Sequence, residues 1–278
     1  MTEKPRGPLA AILTIAAILT AVLGIVVIGI AQRGPVSGPP AVSPPGVTLP
    51  SPAQTVATIN GIAIPARELQ IFIDKDRAET LDHFQTTFHA TADANFWTTP
   101  YGGTTPTEHL INRALKDIST STVQLQWAVK YGLIPSASYD SFLTGLEQEN
   151  KRRAKAIAEK TPIYGPTQYT EANYFHYLND QYSFDLQAKM RADGTIAVDQ
   201  PQLDDFLATH PDVAARAKTP AGETRKDATE HVVQLYVENQ YEALLAHAAE
   251  TATIVRTVAL TNLEKGGCAQ TGECVASR

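Results

Sequence analysis

"QTVATINGIAIPARELQIF", residues 54–72, decides how the chain is read. Val56 and Ile59 on one side, and Ile62 and Ile64 on the other, flank Asn60-Gly61, a pair suited to the positive φ angles of a two-residue hairpin turn. Pro65 then occupies a favoured first helical position, and Leu69, Phe72 and Ile73 follow at helical spacing. The stretch predicts strand, turn, strand and helix in quick succession. An isolated hairpin is marginal in water, so its strands need a partner from elsewhere in the chain. "TATIVRTVAL", residues 251–260, is rich in β-branched residues and reads as that strand. The pairing would set Val56–Ile59 beside Ile254–Val258 and bring the two ends of the folded region together.

Between these ends the pattern is helical. Thr105, Pro106, Thr107 and Glu108 form a capping box with proline in the first turn. Ile111, Leu115, Ile118, Thr122, Leu125 and Val129 continue that helix in steps of four and three until Gly132 ends it. A further helix is predicted from Ser138, with Tyr139, Phe142, Leu143, Leu146 and Ile157 on one side and Glu147, Glu149, Lys151 and Arg152 on the other. Another runs from Thr170 to Met190 through Tyr174, Leu178, Tyr182 and Leu186. Asp199 caps a short helix holding Leu203, Phe206 and Leu207, which His210-Pro211 stops. After a polar connector, residues 227–249 carry Val233, Val237, Tyr241 and Leu244 as a last helix. The fold class is mainly α, with a small β-sheet formed by strands near the domain's two ends, over residues 54–262.

What precedes residue 54 differs in kind. Pro8–Ala31 has no ionisable side chain, and as a helix rising about 1.5 Å per residue it would cover roughly 36 Å, enough for a hydrocarbon core of about 30 Å. A cleaved signal peptide competes with this reading, but its apolar region is normally about 7–15 residues and ends in a small-residue site, and "GIAQRG" is a poor one. Residues 1–33 therefore read as an uncleaved signal anchor. Lys4 and Arg6 against Arg33 favour an N-terminus inside, which leaves the rest of the chain extracytoplasmic. Residues 34–53 hold seven of the eighteen prolines and no charge, and read as an extended stalk. At the other end, residues 263–278 form a tail carrying both cysteines, Cys268 and Cys274. Outside the cytoplasm a disulfide closing that short loop is expected, with a contribution of at most about 2.5 kcal/mol. Two thiols without a nearby histidine or a second cysteine pair fall short of a zinc site.

The formal net charge of −6 argues against nucleic acid as a partner, because neutralising phosphates needs basic patches. The seven histidines are scattered, and the nearest pair, His83 and His89, has no acidic residue at a metal-binding spacing. No nucleophile elbow, Walker loop or dinucleotide fingerprint follows a strand. No catalytic residue, metal or cofactor is assigned. "EQENKRR", residues 147–153, reads as a solvated helix face with Glu147–Lys151 and Glu149–Arg153 pairs rather than as an acid–base cluster.

The aromatic residues are more informative. Five of the ten tyrosines fall between Tyr164 and Tyr182, and Phe84, Phe88, Phe96, Trp97 and Tyr101 lie in or beside a loop rich in Thr, Ala and Gly. Rings with polar tips suit a surface that is wet yet adhesive to apolar chains. The same rings would serve equally as packing of that loop against the helices. On the first reading Phe84, Phe88, Phe96, Trp97, Tyr101, Tyr164, Tyr174 and Tyr177 are the substrate-binding candidates.

"VATINGIAIPARELQ", "AVKYGLI", "SYDSFLTGLEQENKRR" and "TIAVDQPQLDDFLATHPD", in this order, resemble the SurA-like and PrsA-like extracytoplasmic chaperones and foldases. The resemblance spans most of residues 56–212. It implies a SurA-N-like helical chaperone domain that holds unfolded or partly folded exported polypeptides. In that family a parvulin module adds prolyl cis/trans isomerisation. Here only "DVAARAKTPAGETRK" separates His210-Pro211 from the last helix, too short for a parvulin fold, so no catalytic residue carries over. The expectation is a membrane-anchored chaperone needing no cofactor. A reduced prolyl isomerase and a stalked envelope scaffold with one fixed partner are the alternatives.

Overall fold

A computed structural model describes residues 47–217 and 225–264. The chain enters as a hairpin of β1 (Thr55–Ile59) and β2 (Ile62–Pro65). Asn60 and Gly61 turn it with φ of 47° and 83°, the double positive φ that this dipeptide accepts at little steric cost. The outer edge of β1 pairs antiparallel with β3 (Ile254–Arg256), with Ala57 opposite Arg256 and Ile59 opposite Ile254, giving the order β2-β1-β3. Asn60 adds a second tie: its N–H donates to Thr253 O at 2.9 Å, and its side-chain oxygen accepts from Thr253 N–H at 2.9 Å.

The C-terminal strand is shorter than its β-branched run suggests. β1 offers few residues for pairing, and Thr257 closes the ladder by donating both its N–H and its hydroxyl to Val56 O, at 2.9 and 3.0 Å. The chain then turns into α8 (Val258–Glu264), which inserts Leu260 into the core. Strand propensity yields here to burial of one side chain.

Pro65 also sits one position earlier than expected, as the extended residue (ψ 155°) before α1 (Ala66–Phe88). Along α1 the positions Glu68, Phe72, Asp76, Thr80 and Phe84, each four apart, are all buried. In α2 (Pro106–Lys130) the Thr105 hydroxyl accepts from Glu108 N–H at 3.1 Å, whereas the Glu108 carboxylate takes the Thr104 hydroxyl. The expected reciprocal box is therefore only half formed. Gly132, φ 71°, follows its end. The buried face is wider than the expected stripe and leaves Val129 exposed, because α2 packs against α1, α4 and α7 at once.

α3 (Tyr139–Ala158) and α4 (Glu171–Ala192) carry Ser138 and Thr170 as N-caps. α5 (Gln200–Thr209) has a full capping box between Asp199 and Gln202. Pro211 stops it as expected but begins α6 (Pro211–Ala217), so the polar connector is partly helical. α7 (Arg225–Glu250) buries Val233, Val237, Tyr241 and Leu245 at fourfold spacing. Leu245 takes the core place expected of Leu244, and Ile157 of α3 is likewise exposed.

Two large cores result. One gathers the hairpin, α1, the first half of α2 and Leu260; the other gathers Val123, the end of α4, α5 and α7. A fully buried Leu or Ile in either contributes roughly 1.5–3 kcal/mol. α2 is common to both, and inside it Gln124 accepts from the Tyr241 hydroxyl at 2.8 Å and donates to Asn179 O at 2.6 Å. Val47 and Leu49 also pack on the first core, so ordered packing begins ahead of the expected boundary at Gln54. Among the described residues no helix is long and apolar enough to cross a membrane. The expected anchor, the first part of the stalk, and the Cys268 and Cys274 pair lie outside the described residues.

Candidate functional site

Three of the five aromatic residues near the first loop are core. Phe84 and Phe96 are fully enclosed, Trp97 is buried, and the rings meet edge to face: Phe84 to Phe96 at 6.2 Å, Phe96 to Trp97 at 5.1 Å. Thr107 fixes the loop by donating its hydroxyl to Trp97 O at 2.8 Å. Tyr101 is half-buried in the same cluster, and Phe88 is 38% exposed while it caps the positive-φ Gly102. Sequestered rings cannot meet a client, so Phe84, Phe96 and Trp97 are corrected from binding candidates to packing residues.

The second aromatic group behaves differently. A cleft of about 360 Å³ opens between α3, α4, the end of α2 and the connector 131–138. Leu125, Ile134, Tyr139, Phe142, Tyr174, Phe175, Leu178 and Tyr182 form its apolar lining. Tyr139 and Phe142 stack at 5.2 Å, and Phe142 meets Tyr174 at 5.7 Å and Phe175 at 5.5 Å. Tyr174 and Leu178 also border a neighbouring depression that includes Tyr164, Tyr169 and Tyr177. Tyr169 lies 5.2 Å from Tyr174 and 5.6 Å from Tyr177, so the rings run as a strip from cleft to surface. Tyr164 is 92% exposed and Tyr177 48% exposed. Of the candidates from this group, the structure brings Tyr164, Tyr174 and Tyr177 together, with Tyr174 buried in the wall and the other two outside it.

The strip is held by a residue that sequence reading left in solvent. Arg153 is only 5% exposed. Its guanidinium donates to Glu149 at 2.8 Å, to Tyr164 O at 2.9 Å and to Pro166 O at 2.6 Å, and it lies over the Tyr169 ring at 4.4 Å. Asn150 completes the clamp, accepting from Tyr169 N–H at 2.8 Å and donating to Tyr169 O at 3.0 Å. The Glu149–Arg153 pair expected from spacing exists, but it faces inward and pins the α3–α4 loop. Glu147–Lys151 is the solvated pair.

Two carboxyls, Glu68 in the cleft lining and Glu171 behind Tyr139, have opposite fates. Glu171 accepts from Arg67 Nε at 2.8 Å and from the Tyr139 hydroxyl at 2.5 Å. Burial pushes the Glu171 carboxyl up, but the Arg67 and Tyr139 hydrogen bonds and the Arg67 charge outweigh it and hold the group below its ordinary value. Tyr139, buried and bonded to that carboxylate, is held far above the ordinary phenol range. Glu68, in the cleft lining and 3% exposed, has no such help. Its Oε2 is enclosed without a hydrogen-bond partner among the described residues, and burial pushes the carboxyl up to about 8.

Glu68, Tyr139, Phe142 and Tyr182 were not among the candidates from sequence. A signal for Glu68 existed, since it falls four residues before Phe72 on the stripe that leads to Phe84. Cleft lining by Tyr139 and Phe142 has no local signature, because core and cleft rings share one helical periodicity. No family model, curated protein or solved structure matches the chain.

Proposed function

We propose that the chain is a membrane-anchored, extracytoplasmic chaperone-like protein that holds apolar segments of unfolded or partly folded exported polypeptides in the α3–α4 cleft. The observation that carries this reading is an aromatic-walled cleft that shares Tyr174 and Leu178 with a depression bordered by the exposed rings of Tyr164 and Tyr177. Such a strip offers a polypeptide successive apolar contacts with hydroxyl tips for its backbone. Burial of client side chains at about 25 cal/mol per Å², offset by the ordering of the client, gives weak and reversible binding. The resemblance to SurA-like and PrsA-like proteins supports the same role, and the apolar run Pro8–Ala31 supports the anchor.

The full chain in lipid nanodiscs is expected to slow aggregation of a chemically denatured client at equimolar ratio, relative to empty nanodiscs. Tyr177→Ser, at an exposed ring, should weaken that effect about two- to fivefold without changing the melting temperature. Aggregation at the same rate with and without the protein would contradict the proposal. Crosslinking that captures one stoichiometric envelope protein instead of many exported chains would replace it by the scaffold reading.

A further inference from the structure

We propose that the α3–α4 cleft takes a basic side chain, the ammonium of Lys or the guanidinium of Arg, from an extended polypeptide, with Glu68 as its counter-ion and Tyr139, Phe142 and Tyr174 as its walls. This inference rests on the polypeptide-binding reading of the cleft and specifies which client residue enters it. Among the described residues, Glu68 is the only acidic or basic one in the lining. A buried carboxyl without a hydrogen-bond partner is costly, and native chains rarely keep one without a use.

Arg67 and Tyr139 are already committed to Glu171. Arg67 is engaged with both oxygens of Glu171, at 3.0 and 2.8 Å, and Tyr139 gives its hydroxyl to the same carboxylate. Glu68 is thus a group left for a visitor, whose positive charge makes the carboxyl release its proton to solvent and stand as the carboxylate partner. Aromatic faces beside a carboxyl suit a cation with a long apolar stem: the methylenes pack on the rings while the charge meets both the ring faces and the acid. The tyrosine strip leading outward would receive the apolar residues on either side. The net charge of −6 also favours approach of basic segments over acidic ones.

The test uses the full chain in nanodiscs and fluorescent peptides of identical apolar flanks whose central residue is Lys, Arg, norleucine or Glu. Anisotropy titration is expected to give Lys and Arg peptides about tenfold tighter binding than the norleucine peptide, and the Glu peptide the weakest. Glu68→Gln should abolish the preference for Lys over norleucine, read as the ratio of the two affinities in the variant. Phe142→Leu, a second variant that keeps an apolar wall, should reduce the same preference about threefold. Equal binding of Lys and norleucine peptides by the native chain, or a preference that survives Glu68→Gln, would overturn the cation pocket and leave polypeptide binding standing. Binding of none of the peptides would overturn both.

Discussion

Glu68 and Arg153 are two charged-type residues buried for opposite reasons. Arg153 is satisfied by a carboxylate, two carbonyls and a ring, so it acts as a clamp on the α3–α4 loop. Replacing it by Met removes every one of those donors and exposes orphaned carbonyls. We expect Arg153→Met to cost about 2–4 kcal/mol in urea unfolding and to make the loop 159–170 cut faster by protease. Unchanged loop cleavage would show that the clamp is not what orders the tyrosine strip. Glu68 is unsatisfied, and its folded-state value near 8 stands above its ordinary 4.5. Between these values the folded chain holds a proton that the unfolded chain releases. Its contribution to stability is therefore complete below about pH 4.5 and lost as pH rises to about 8, an effect of roughly 3–5 kcal/mol. Glu68→Gln lacks this linkage. Urea midpoints at several pH values should show the variant gaining on the native chain as pH rises, and parallel profiles would contradict a buried neutral acid.

At the scale of elements, the hairpin and its closing strand were legible because their signals are local and independent. Asn60-Gly61 accepts positive φ, and the β-branched run near residue 255 pairs with no other strand among the described residues. Asn60 does more than turn the chain, since it bonds to Thr253 and reaches Gln126 at 3.1 Å. Asn60→Ala should cost about 1–2 kcal/mol and selectively raise amide exchange across β3, a pattern that general destabilisation would not give. Element ends were less legible. α8 takes the last three residues of the expected strand because Thr257 caps the ladder, and α6 starts where a connector was expected because Pro211 can open a helix as well as stop one. Both outcomes depend on what lies across from the residue, which a linear reading does not contain.

Over the whole molecule, helical periodicity located the long helices but could not divide their apolar residues between core and cleft. Phe84 and Phe142 look alike in sequence, yet the first is fully enclosed in the core while the second stands beside an opening between α3 and α4. The cleft depends on three distant segments meeting: Glu68 near one end, the connector 131–138, and the α3–α4 pair. The most direct measurement of the central claim is photocrosslinking from within that opening. Thr144 is exposed and lines the cleft, and Val255 is 58% exposed on β3. With a photoreactive side chain at each in turn, and denatured exported polypeptides as clients, we expect strong client labelling from residue 144 and background from residue 255. Equal labelling from both positions, or none from residue 144, would contradict a client-binding cleft between α3 and α4.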